Sequence, residues 1–253
     1  MCTAIFERST LARTVDRVGS LREHRIEGTG DMIFSKILTP DGDVFIDGMN
    51  DRGLMTALLN FEKDINDTLH FNSSTKTGVH PARLIPLILE GCTSVKDAEK
   101  LLSDVLLTED APKMYPHYII CDRFGGCIIY ENGRTEENPY GVLANAPSFH
   151  VQSANLSEIS REKPQIPWSY TSESRFQRIA WMKAHGTRFS SPTDYMNLLD
   201  TVAVPEGMDP RKGYRTLIRS VMCAETGNYS WSTENNRSVR SVSLGTKGIF
   251  EIQ

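Results

Sequence analysis

Cys2 stands directly behind Met1. Removal of Met1 leaves it with a thiol and a free α-amine on one residue. A thiol has a reference pKa near ~8.5 and an α-amine one near ~8, so both titrate close to neutrality. An amine in reach of the thiol can take its proton, and the thiolate is the nucleophile. One residue then supplies both nucleophile and base. Some residue must follow every initiator, however, and Cys2 alone does not decide between chemistry and chance.

Arg13 and Asp16 lie in Ala12-Arg13-Thr14-Val15-Asp16. A hairpin between positions 5 and 15 brings both near Cys2. There a carboxylate can orient an ammonium and an arginine can lower a thiol pKa. A surface ion pair on a turn is the competing reading. Asn60 and Asn145 each follow a strand-like apolar segment. An Asn amide N–H suits the oxyanion formed when an amide is cleaved, although Asn also simply makes turns where strands end. Arg175 falls near the start of a helix, where the backbone dipole disfavours a cation. That points to a duty elsewhere in the molecule unless the side chain is solvated. His24, His70, His80, His117, His150 and His185 show no ligand or triad spacing. No Gly-x-Ser-x-Gly, phosphate loop or dinucleotide fingerprint is present.

The elements that must position these residues are mostly strands in the first third. Apolar patterning predicts strands over 2–6, 32–38, 44–46 and 54–61, with Pro40-Asp41-Gly42 as a turn. A helix is expected over 81–90, with Pro81 at its start, Gly91 past its end, and Pro86 kinking or restarting it. A second follows Ser94, with Asp97 as a short capping partner and Val95, Ala98, Leu101, Leu102 and Val105 at helical spacing. Strands return over 117–121, 127–130 and 140–143. Residues 147–167 read as a polar surface loop. Helices are expected over 174–185, ended by Gly186, and over 193–202, capped by Thr193. Strands close the chain over 214–222, 229–233, 239–244 and 248–252. Runs of strands alternating with helix pairs suggest layered antiparallel sheets with helices outside.

The chain has 253 residues, 39% hydrophobic and 24% charged, with a net charge of −4. It is long enough to bury a large core, and one domain over 1–253 is expected. No basic tract points to nucleic acid. No apolar run approaches the ~20 residues of a membrane span, and no secretory leader is visible. A cytoplasmic location is expected. Five scattered cysteines then read as free thiols, and the lack of a Cys/His cluster argues against zinc. Cys121 and Cys127 flank a Gly-rich turn and can face each other across a hairpin. They read as buried small hydrophobes rather than a disulfide.

In order along the chain stand Met1-Cys2-Thr3-Ala4-Ile5, Ala12-Arg13-Thr14-Val15-Asp16, and Gly48-Met49-Asn50-Asp51-Arg52-Gly53-Leu54 with Leu59-Asn60-Phe61 after it. Then come Ile85-Pro86 to Leu102, Asn138-Pro139-Tyr140-Gly141-Val142-Leu143-Ala144-Asn145-Ala146-Pro147 and Ser174-Arg175-Phe176. This ordered set resembles the choloylglycine hydrolase family, which includes bile salt hydrolases and penicillin V acylases. The resemblance implies an α+β fold, a four-layer αββα sandwich of two antiparallel sheets (the Ntn-hydrolase fold). It also implies an amidase cleaving a linear, non-peptide carboxamide without metal or cofactor.

Carried onto matching positions, the resemblance makes Cys2 the nucleophile and its own amine the base. Arg13 and Asp16 become the pair that positions it. Asn145 and the Asn60 backbone N–H line the oxyanion site, and Arg175 supports the centre. The implied substrate is a small amide with an apolar acyl part: a conjugated bile salt, a phenoxyacetyl penicillin or an N-acyl homoserine lactone. A non-catalytic acyl-binding member of the fold is the alternative, and a homo-oligomer is left open. The chain departs from many members in having Ala12 and Thr14 beside Arg13, in a shorter first hairpin, and in a short stretch from Asn145 to Arg175. The loops at 17–25 and 61–69 border the expected substrate pocket.

Overall fold

A computed structural model describes residues 2–60, 77–108, 116–131, 134–138, 141–144, 172–187, 189–208 and 213–252. The first half holds strands β1 (Thr3–Glu7), β2 (Thr10–Arg17), β3 (His24–Thr29), β4 (Met32–Thr39), β5 (Gly42–Asn50), β6 (Leu54–Asn60) and β7 (Thr77–Val79). Helices α1 (Pro81–Gly91) and α2 (Val95–Ser103) follow. Next come β8 (Val105–Leu107), β9 (Pro116–Asp122), β10 (Cys127–Glu131), β11 (Arg134–Glu137) and β12 (Val142–Ala144). The last part holds α3 (Ser172–Ala184), α4 (Pro192–Val202), β13 (Arg215–Cys223), β14 (Asn228–Thr233), β15 (Arg240–Ser243) and β16 (Lys247–Glu251).

Two sheets, antiparallel throughout, stack face to face. One has the order β12-β1-β2-β13-β14-β15, the other β11-β10-β9-β6-β5-β4-β3-β16. Strand alternation explains how each sheet is covered on both faces. Ala4, Phe6, Leu11 and Val15 point inward and meet Met49, Met55, Ala57 and Ile119 of the other sheet. Leu54, Leu58, Tyr118 and Ile120 point outward, against Leu84, Ile88 and Leu102 of α1 and α2. Ile5 and Ala12 point outward on their own sheet, against Phe176, Ile179 and Leu199 of α3 and α4. The layers run α-β-β-α, as the resemblance implies. β7 and β8 form a small parallel pair besides.

Several expectations are corrected. Val105 lies in β8, because α2 ends at Ser103. The Asp97 carboxylate accepts from the Thr93 N–H and hydroxyl, one residue before the cap, while the Ser94 hydroxyl accepts from the Asp97 N–H. The last helix is capped by Ser191, not Thr193: Ser191 and Asp194 complete a reciprocal capping box that leaves Pro192 at N1. Pro86 neither ends α1 nor starts a new helix. β3 and β11 were not expected, since polar residues occupy their outward positions and hide the period-two signal.

Candidate active site

The expected hairpin forms: Ala4 opposes Arg13 and Glu7 opposes Thr10. Its tight turn puts Arg8 at φ 58, a left-handed conformation unusual for a side chain other than Gly or Asn. Cys2 sits just before β1, 6% exposed, on the face between the sheets. Its Sγ meets the Asp16 main-chain carbonyl at 3.9 Å. Thr14 fixes the neighbouring residue by accepting from the Thr3 N–H at 3.1 Å.

Alternation along β2 sends Arg13 and Asp16 to opposite faces of the sheet. Arg13 lies inward with Val15, and Asp16 outward with Ala12. They are therefore not each other's ionic partner, which rules out the competing reading of a surface ion pair between them. The Arg13 side chain is 1% exposed. Its Nη1 donates to the Ile46 carbonyl at 2.6 Å and to Asp47 Oδ2 at 3.4 Å. Asp47 reaches across from the facing sheet and also accepts from Tyr229 OH at 2.7 Å and Ser220 Oγ at 3.3 Å. Burial pushes the Asp47 carboxyl above the usual carboxylate range, opposed by Arg13 and these two hydroxyls.

Asp16 is held from the helical side. Arg175 Nη1 donates to Oδ2 at 2.5 Å and Thr216 Oγ1 to Oδ1 at 2.6 Å. Arg175 is 3% exposed and also donates to the Val202 carbonyl, so it ties α3 to the end of α4 and to β2. This explains a cation in the first turns of a helix. The Thr216 hydroxyl also accepts from the Val204 N–H at 2.7 Å. β13 has a register shift between Thr216 and Ile218, in the stretch where it passes Asp16.

Asn60 is the last residue of β6 and opposes Pro116. Pro116 has no N–H to give to the ladder at that pair. Asn145 lies outside the described residues, as do 61–69 and the whole loop at 147–167. β12 runs beside β1, with Ala144 opposite Thr3, and so ends at the edge from which Cys2 projects.

Sequence reasoning missed Asp47, Thr216, Ser220, Tyr229 and His24. Asp47 carried a signal: it is a lone carboxylate inside Val44-Phe45-Ile46-Asp47-Gly48-Met49. His24 is fully buried, and neither ring nitrogen has a hydrogen-bond partner among the described residues. Burial, with the charges of Arg17, Arg13 and Arg25, lowers its pKa to about 3. It is a neutral imidazole at physiological pH. Cys92, by contrast with a nucleophile, is pushed up to about 11 by burial. A cavity of about 580 Å³ opens beside the 17–25 loop, lined by Leu21, Arg22, Arg25, Arg215 and Glu234. Cys2 does not line it. No group of three or more His, Cys, Asp or Glu among the described residues could hold a metal ion.

The profile of the linear amide C-N hydrolases, choloylglycine hydrolase family, matches residues 29–249. The chain belongs to the choloylglycine hydrolase family. It is an enzyme of the class that hydrolyses C–N bonds of linear amides. The matched stretch holds Asn60, Asn145 and Arg175, and begins after Cys2, Arg13 and Asp16. Among relatives, the bile salt hydrolase/transferase of Clostridium perfringens is 24% identical over 248 residues, covering 83% of this chain and 75% of its own. That of Lactiplantibacillus plantarum is 27% identical over 240 residues, covering 79% and 73%. Solved structures agree on the fold. The C2A mutant of conjugated bile acid hydrolase from Clostridium perfringens superposes at TM-score 0.80, with 21% identity, over 100% of this chain and 97% of that one. Penicillin V acylase from Agrobacterium tumefaciens superposes at TM-score 0.75, with 17% identity, over 98% and 90%. No helix among the described residues is long and apolar enough to cross a membrane.

Proposed function

We propose that this choloylglycine hydrolase family member is an N-terminal-cysteine amidase of the bile salt hydrolase or penicillin V acylase type, activated by removal of Met1. The observation that carries the reading is the placement of Cys2. It is the cysteine whose α-amine can be freed, and it is packed between the sheets against the Asp16 carbonyl. Its amine takes the thiol proton, and the thiolate attacks the substrate carbonyl. The Asn145 amide and the Asn60 backbone N–H receive the oxyanion, a contribution of roughly 3 kcal/mol per donor. The leaving amine departs with the proton returned by the α-amine, and water cleaves the acyl-thioester.

Arg13 supplies positive charge on the face that Cys2 shares. Asp16 and Arg175 are positioning residues, since their ion pair locks the strand whose carbonyl meets Cys2. The substrate is a small amide with an apolar acyl part. The bile salt hydrolase/transferases of Clostridium perfringens and Lactiplantibacillus plantarum favour a conjugated bile salt first, with penicillin V and N-acyl homoserine lactones as the competing amides.

The test is a panel of these three substrates, assayed for released amine with wild type and Cys2→Ala, alongside intact mass. The expected outcome is a product lacking Met1, turnover of at least one amide, and none by Cys2→Ala. Full activity in Cys2→Ala would falsify the mechanism. A processed wild type inert on all three amides would favour the non-catalytic acyl-binding reading.

A further inference from the structure

A second thiol site lies at the other end of β1. Cys121 on β9 and Cys127 on β10 are register partners. The neighbouring pair is hydrogen-bonded, Asp122 N–H to the Gly126 carbonyl at 3.0 Å. Pairs alternate along an antiparallel ladder, so Cys121 and Cys127 form a non-hydrogen-bonded pair, the kind with Cα atoms ~4.5 Å apart and side chains closest. That spacing falls within the ~4.4–6.8 Å a disulfide spans. The two side chains share the inner face, with their sulfurs 3.4 Å apart as free thiols.

Cys121 is fully buried and Cys127 is 6% exposed. Cys127 also lines a cavity of about 200 Å³, together with Phe6, Arg8, Glu137 and Lys183. Arg8 and Glu137 are exposed, so this cavity opens to solvent. Lys183 donates from Nζ to the Phe6 carbonyl at 2.9 Å, and its charge acts on both thiols. Burial raises the Cys121 thiol well above its ordinary range. Cys127 lines the cavity and Cys121 does not, so Cys127 is the thiol that an entering molecule meets first.

We propose that Cys121 and Cys127 form a reversible dithiol/disulfide site for a small hydroperoxide, separate from Cys2. The Cys127 sulfur attacks the peroxide oxygen. The O–O bond breaks, and the departing alkoxide or hydroxide takes the thiol proton. The resulting sulfenic acid is then attacked by Cys121. The S–S bond forms, the S–O bond breaks, and the hydroxide leaves as water with the Cys121 proton. Two thiols and one hydroperoxide give one disulfide, one alcohol or water, and one water. Closure needs side-chain rotation within a fixed ladder. Phe6 and Cys2 are four residues apart along the strand, roughly 13 Å.

The experiment uses the full chain carrying Cys2→Ala, so that its outcome is independent of the amidase mechanism. The protein is exposed to hydrogen peroxide, then alkylated, unfolded and digested with trypsin. Trypsin cuts after Arg123, between the two cysteines. The expected product is a pair of disulfide-linked peptides, one carrying Cys121 and one Cys127, that separate on adding dithiothreitol. Cys127→Ser removes the link, and Lys183→Met slows its formation several-fold. Recovery of both cysteines as alkylated thiols, Cys127 as sulfinate with no link, or either cysteine joined to Cys92 or Cys223 overturns the site. An unchanged rate in folded Lys183→Met overturns the part given to the lysine.

Discussion

Arg175 and Asp16, 159 residues apart in sequence, meet as a buried ion pair with Nη1 2.5 Å from Oδ2. The Asp16 carboxylate is fully buried and the Arg175 side chain only 3% exposed. The pair joins the helical layer to the hairpin that presents Cys2.

Breaking this pair from one side strands a buried charge. Arg175→Met is expected to cost ~3–5 kcal/mol, with Asp16→Asn in the same direction. The double variant should cost clearly less than the sum, because it leaves no unpaired charge. Urea unfolding measures all three, and strictly additive losses would contradict the pairing.

Arg13 meets one carboxylate among the described residues, that of Asp47. Asp47→Ala should be worse than Tyr229→Phe, which removes a single hydrogen bond worth about 1.5–3 kcal/mol if the carboxylate is charged. In the proposed amidase, Asp47→Ala should also lower kcat more than it raises KM, because Arg13 acts on the nucleophile's face. A pure KM effect would place Arg13 in substrate binding instead.

His24 makes stability depend on pH. The unfolded residue takes up a proton near pH 6.5, and the native one does so at about 3. The native state therefore loses stability as pH falls through that window, by up to ~1.4 kcal/mol per unit. His24→Leu should flatten the slope between pH 6.5 and 5, before most carboxylates titrate. Chemical denaturation at several pH values reads the difference, and equal slopes would rule out a buried neutral imidazole.

Gly141 sits at φ +60, and a Cβ there would lie 2.3 Å from the Phe6 carbonyl oxygen. The Phe6 N–H donates to the Gly141 carbonyl at 2.5 Å, so the close approach is part of the β1–β12 edge. Gly141→Ala is expected to cost roughly 2 kcal/mol or more. By displacing β12 it should also depress amidase turnover. A thermal scan together with the amine-release assay checks both effects.

The sequence by itself determined much of this protein. Alternating apolar residues marked most strands, and Pro, Gly and Ser marked the helix ends, because those signals act over neighbouring residues. The order of short motifs pointed to the family and so to the layered fold. Cys2, Arg13, Asp16 and Arg175 could be singled out by type. Only the tertiary structure decided which charges meet. Arg13 and Asp16 are three residues apart, which on a strand puts them on opposite faces, so each takes a partner from a different layer. Asp47 and Tyr229, and Asp16 and Arg175, are brought together by sheet stacking and helix docking. No local periodicity encodes those contacts. His24 carried no sequence signal at all, because its lowered pKa comes from burial among three arginines that only the folded chain gathers.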